Sequence, residues 1–239
     1  MDLKTAGARA EAREEGRRNL TPVASQSRRD GVLREIRRAV VRGDLQPGDK
    51  LTEVTLAATL GVSRPTIREA LNQLSQEGLL VQEPYRGLHV ARLGPEQILD
   101  IAKARHALDM LAVDAVLEDT GGHRMAAVMG AWEEFERWEY DPDPLTRHEA
   151  HVAFHRGIWA ASENSMLLRF WPVTEAHLTI ALAQDQAIRS DPARASVVHR
   201  HLIDALLSGD RSQAEAAFRE HTIDSACELV TIMEQESGA

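Results

Sequence analysis

Two sets of residues in this 239-residue chain have types and spacings that can do chemistry. Arg64 and Arg68 are four apart, so on a helix they share one face. The arginine fork is the best bidentate partner for guanine O6 and N7. Ser63 and Thr66 add hydroxyls that can bind phosphate or base edges. Arg86, beside Gly87 and between two short extended runs, can reach a minor groove. The alternative for each of these is an ordinary solvated surface. The second set is histidine: seven of the ten lie between His148 and His221. His148, His151 and His155 follow an i, i+3, i+7 rhythm. His151 and His155, one turn apart, can share a metal, with His177, His199, His201 and His221 available to complete the site. Imidazole clusters suit Zn²⁺, Ni²⁺ and similar cations. Polar histidines satisfied within a fold are the alternative.

The elements that must position these residues are helical. Val32, Ile36, Ala39 and Val40 predict an amphipathic helix over about 26–42, stopped by Gly43-Asp44 and Pro47-Gly48. Thr52 caps a second helix, with Val54, Leu56, Ala57 and Leu60 expected inward. Gly61 ends it in the left-handed conformation that glycine tolerates. Ser63 caps a third helix, Pro65 sits in its first turn, and Gly78 ends it. Ile67, Ala70, Leu71 and Leu74 are its buried stripe. Two extended runs, 79–82 and 88–92, flank a hairpin tip at Glu83–Gly87. This order is a winged helix-turn-helix, which presents the start of its third helix to base-pair edges. Beyond Gly94-Pro95 the pattern is helical to about residue 234. Ile98, Ile101, Ala102, Leu108 and Leu111 mark a first long helix. One continuous helix is expected over about 210–234. Residues 1–25 read as a flexible tail.

Composition narrows the classes. Hydrophobic residues make up 43% and aromatics 4%, which suits a helical core of Leu, Ala, Val and Ile. No apolar run reaches the ~20 residues of a membrane span. The first residues lack the apolar stretch of a signal peptide, so a cytoplasmic location is expected. The lone Cys227 is expected as a small buried residue. Net charge is −9 but uneven. Residues 1–92 carry 16 Lys and Arg against 12 Asp and Glu; residues 93–239 carry 12 against 25. The front can meet phosphates and the back repels them. There is no His-Glu-x-x-His, no Glu-x-x-His pair, no phosphate loop and no nucleophile elbow, so catalysis is not expected.

Residues 32–92 resemble the DNA-binding domain of GntR-family transcription regulators. Gly43–Gly48 resembles the family's turn after its first helix. Leu56-Ala57, Leu60-Gly61-Val62-Ser63-Arg64, Arg68-Glu69-Ala70-Leu71, Leu74 and Glu77-Gly78-Leu79 follow its core pattern. The family usually has Thr-Pro where this chain has Pro65-Thr66. Some members carry arginine where Val54 stands, so an operator sequence does not transfer. The resemblance implies DNA contacts at Ser63, Arg64, Thr66 and Arg68, with the wing at Arg86-Gly87.

The rear resembles the FCD effector-binding domain of the FadR branch. The resemblance rests on His151-Val-Ala-Phe-His155, on His199 to Asp210, and on Arg219-Glu-His221. It implies His155, His199 and His221 as metal ligands, with His151 in the place of a usual aspartate. Arg105 with Asp109 resembles a segment near the start of that domain. Its arginine binds an effector carboxylate or makes a structural ion pair.

The expected fold is mainly α. A winged helix-turn-helix spans 26–92, and an all-α antiparallel bundle of about six or seven helices spans 95–236. The expected function is a homodimeric, ligand-responsive repressor that binds double-stranded operator DNA and is not an enzyme. Its expected ligands are a divalent metal ion, zinc before nickel, and a small carboxylate effector. A purely structural metal site and a histidine-rich metalloenzyme are the alternatives.

Overall fold

A computed structural model describes residues 28–189 and 193–237; the tail expected over 1–25 lies outside them. Helix α1 (Arg28–Val41) buries Val32, Leu33, Ile36 and Val40. Strand β1 (Lys50–Leu51) leads into α2 (Glu53–Leu60), whose first turn is capped by the Thr52 hydroxyl. Gly61, at φ 65°, turns the chain out of α2, and Ser63 caps α3 (Arg64–Glu77). Ile67, Ala70, Leu71 and Leu74 form the buried stripe of α3. Strands β2 (Leu80–Glu83) and β3 (Gly87–Val90) are the wing hairpin. The sheet order is β1-β3-β2, antiparallel, with Leu51 opposite Leu88 and Leu80 opposite Val90. The two-residue β1 is too short to leave a period in the sequence and was not expected.

The rest is the helical bundle. Its helices are α4 (Pro95–Leu117), α5 (His123–Trp138), α6 (Pro144–Ala161), α7 (Ser165–Arg189), α8 (Ala193–Leu207), α9 (Arg211–Arg219) and α10 (Ser225–Ser237). Between α9 and α10 lies a π-helical turn, Glu220–Asp224. The helix expected over about 210–234 is thus one continuous helical run, 211–237, with a π turn inside it that the sequence did not show. A wide turn adds a residue without disturbing apolar periodicity enough to be read. Gly157 on α6 meets Ala131 on α5 so closely that a Cβ would collide with the Ala131 methyl. That contact fixes α6, which carries His151 and His155.

Two further expectations are corrected, those for Val54 and Cys227, and Leu111 lies off the buried face of the helix it helps to mark. Val54 is 62% exposed. At 3.6 residues per turn it lies about 115° from the face formed by Leu56, Ala57 and Leu60. Leu111 is 54% exposed, because the buried face of α4 runs through Ile98, Ala102, Asp109, Val113 and Val116. Cys227 is exposed and free. Its neighbours Ala226, Leu229, Val230 and Met233 take the inner side of α10.

One apolar cluster joins the two regions. It contains Ile36, Ile67 and Leu74 of the winged helix together with Leu93, Ile98, Ala176, Ile180 and Leu229. A second cluster, around Trp132, Phe154 and Trp159, is the core of the bundle itself. Where the chain passes between the regions, the Gln184 amide grips Leu93. Its oxygen accepts the Leu93 N–H at 3.1 Å and its nitrogen donates to the Leu93 carbonyl at 3.2 Å.

Candidate functional site

The face expected to read DNA begins at the junction of α2 and α3. The Ser63 hydroxyl accepts the Thr66 N–H at 3.4 Å and lies 2.8 Å from the Thr66 hydroxyl. Both hydroxyls therefore set the start of α3, with Ser63 exposed and Thr66 half-buried. Arg64 and Arg68 project from this start, with side chains 60% and 58% exposed. Both face Glu53, the first residue of α2. Arg68 Nε donates to Glu53 Oε1 and Arg68 Nη2 to Oε2, each at 2.8 Å. Arg64 Nη2 lies 3.6 Å from the same carboxylate. The Arg68 hydrogen bond holds the Glu53 carboxyl below the usual range. Spacing alone did not reveal Glu53, which is far from Arg68 in sequence.

At the wing tip Arg86 donates to Glu83 at 2.6 Å. Gly87 takes φ 97°, a conformation only glycine adopts freely. Tyr85 is fully exposed at φ 63°, a rare state for a bulky residue. The buried His89 ring ties the tip to the sheet, with its two nitrogens 3.1 Å from the carbonyl oxygens of Gly48 and Arg86. Tyr85 was not singled out from sequence, although its place in the hairpin tip was visible.

The histidine site is built from three remote pieces of chain. His151 and His155 come from α6, His199 from α8 and His221 from the π turn. His155 Nε2 lies 3.0 Å from His199 Nε2 and 3.2 Å from His221 Nε2. One nitrogen each from His151, His155 and His199 falls within a 4.8 Å circle. His151 Nε2 is buried without a partner. Burial pushes His151 and His155 far below the usual imidazole range, so both are neutral. Phe135 and Phe154 pack their rings against the cluster. Of the other histidines, His148 bonds Thr179 at 3.2 Å. His201 is exposed and faces Glu220 at 3.8 Å. Neither points into the cluster.

The donor set fits a metal. Nitrogens bound to one ion at about 2.0–2.1 Å lie roughly 3–3.4 Å apart, which is the spacing seen. Shared protons satisfy it poorly, because one neutral His155 Nε2 faces two imidazole nitrogens and has one lone pair or one proton to offer.

Arg105 completes the site. Its Nη2 is 3.4 Å from His221 Nε2, and its Nε is 3.4 Å from the buried Asp109 carboxylate. Trp159 Nε1 donates to the other Asp109 oxygen at 2.6 Å. Burial pushes the Asp109 carboxyl up. A cavity of about 190 Å³ opens in front, lined by Arg105, His151, His177, His199 and His221 with apolar walls such as Leu178 and Leu229. His177 also reaches the other region. A Cβ on Gly78, which ends α3 at φ 90°, would stand 2.9 Å from His177 Nε2. That contact joins the cavity to the far end of the reading helix and could not be seen in the sequence.

Residues 28–90 match the family described as bacterial regulatory proteins, gntR family, and residues 100–224 match the FCD domain. The chain belongs to the GntR family. A relative from Paenarthrobacter nicotinovorans, named as a D-xylose utilization operon transcriptional repressor, is 32% identical over 84% of this chain and 86% of its own. One from Escherichia coli, named as an L-lactate dehydrogenase operon regulatory protein, is 27% identical over 80% and 82%. The solved E. coli McbR/YncC shares the fold at TM-score 0.69 and 21% identity, over 87% of this chain and 99% of that one. A GntR regulator from Rhodococcus sp. RHA1 does so at 0.73 and 20%, over 86% and 99%. The relatives are transcription regulators, not enzymes. This GntR-family regulator thus pairs a DNA-binding domain with an FCD domain whose three close histidines can hold a metal. Among its described residues no helix is long and apolar enough to cross a membrane.

Proposed function

We propose that this regulator is a cytoplasmic, homodimeric repressor whose operator affinity is set by a small carboxylate. Ser63, Arg64, Thr66 and Arg68 read double-stranded operator DNA in the major groove, and Arg86-Gly87 of the wing enters the minor groove. His151, His155, His199 and His221 hold a divalent cation, zinc before nickel. A bound cation of this kind supplies open positions for carboxylate oxygens. Arg105 orients the acid through its guanidinium, and the apolar wall excludes water from the contact. The observation that carries this reading is His155 Nε2 standing 3.0 Å from His199 Nε2 and 3.2 Å from His221 Nε2, beside Arg105. The relative named for an L-lactate dehydrogenase operon makes 2-hydroxy acids the first to try. A homodimer follows from the two-fold symmetry of paired half-sites. The acid alters DNA affinity only by binding the DNA-competent and incompetent arrangements unequally.

The test combines metal analysis with thermal shift. Protein prepared without chelator should carry about one equivalent of metal per chain, and the His155→Ala/His199→Ala/His221→Ala variant should carry none. L-Lactate and related small carboxylates should raise the melting temperature of the loaded protein and not of the chelated one. Native protein without stoichiometric metal sinks the metal reading. Metal without any carboxylate response leaves a purely structural site.

A further inference from the structure

The reading face holds a charge that DNA should repel. Glu53 stands between Arg64 and Arg68, and all three lie at the junction that meets the base edges. Its carboxylate takes the Nε and Nη2 side of Arg68 through two parallel 2.8 Å bonds. A guanidinium has five N–H groups in a fixed plane. Gripping that side leaves both Nη1 protons and one Nη2 proton directed outward. The outer pair, one proton from each Nη, is what an arginine offers end-on to guanine O6 and N7. The fork geometry removes rotamer freedom from Arg68 before DNA arrives, so less entropy is lost on contact. One carboxylate against two arginines also leaves a single net positive charge at the start of α3. Phosphate attraction there is weakened, while the geometric demand of base pairing is kept.

We propose that Glu53 is the specificity-determining residue of the reading face, orienting Arg68 for a guanine and suppressing indiscriminate phosphate binding. This rests on the reading that Arg64 and Arg68 contact operator DNA. Glu53 itself acts through Arg68 and is a positioning residue. It makes Arg68 a reader of bases; without it, Arg68 becomes a mobile cation that any phosphate satisfies.

The experiment uses the full-length protein and a duplex that the native protein selects from a random pool. Affinity is compared with a scrambled duplex of equal length and composition at fixed salt. Glu53→Gln should lower the ratio of specific to non-specific affinity about tenfold, with non-specific affinity rising two- to fivefold. Glu53→Asp keeps the charge but is too short for the fork. It should lower the ratio similarly without raising non-specific affinity. In the Arg68→Ala background neither change should move the ratio further. Circular dichroism melts guard against unfolding, which would weaken both duplexes alike. An unchanged ratio in Glu53→Gln, or an equal drop with Arg68 absent, overturns the proposal. Undiminished specific binding by Arg68→Ala overturns it together with the reading beneath it, and so separates the two failures.

Discussion

At the reading face each of the arginines Arg64, Arg68 and Arg86 stands in water with a carboxylate in reach: Glu53 for the first two and Glu83 for the third. At the histidine cluster the reverse holds. Imidazoles are packed out of water, face one another at 3.0–3.2 Å, and leave His151 Nε2 with no partner. Exposed ion pairs are screened by water and weakened by salt. Buried polar nitrogens are costly until something binds them. Under the proposed function, one region responds to salt and the other to ligand and proton.

The largest effect expected from this contrast is on stability against pH. His148, largely buried on α6 and bonded to Thr179, has its pKa pushed down to about 4 by desolvation. In the unfolded chain it titrates near 6.5. Its folded form is thus the weaker proton binder. Its contribution is complete above about pH 6.5 and is lost progressively as pH falls towards 4. The loss approaches 3 kcal/mol for this residue alone. Chemical denaturation at pH 7.5 and at pH 5 should show the fall, and His148→Gln should reduce it. An equal fall in that variant would remove His148 as the cause.

The two regions were also unequally legible in the sequence. Thr52, Gly61, Ser63, Pro65 and Gly78 define α2 and α3 through signals that act within a few residues, so both helices and their ends could be placed from spacing alone. His155, His199 and His221 come from separate helices, and no local period links them. Their grouping came from family resemblance, and the structure brings those nitrogens together. What escaped was non-local or too small to leave a period: the π turn that carries His221, the two-residue β1, and Glu53 folded onto Arg68. Val54 and Cys227 depart from expectation because an apolar type does not say which face of a helix it occupies.

A smaller effect is expected where the regions touch. Gly78→Ala forces a side chain onto φ 90° and drives a methyl into His177 Nε2. The backbone strain alone is worth about 1 kcal/mol, and the collision adds to it unless the ring moves towards the cavity. Destabilisation of about 1–2 kcal/mol is expected in denaturant melts. Pairing the change with His177→Ala should recover the contact part, giving a coupling energy of about 0.5–1 kcal/mol. Strict additivity would show that the ring and the α3 terminus do not communicate.

The smallest effect tests what holds the regions together. Arg38 of α1 reaches Glu149 of α6 at 3.2 Å, and both side chains are about half exposed. Nearby, Ile36 and Ile67 share one buried cluster with Ala176, Ile180 and Leu229. Burying a single such side chain is worth about 1.5–3 kcal/mol, several times an exposed ion pair. Arg38→Ala should therefore shift the unfolding free energy by less than about 0.5 kcal/mol and leave one cooperative transition. Half-molar salt should not separate the regions, although it should weaken DNA binding steeply. Two resolved transitions in Arg38→Ala or in high salt would mean that charge holds the head to the bundle. The contrast between a salt-sensitive face and an apolar joint would then fail.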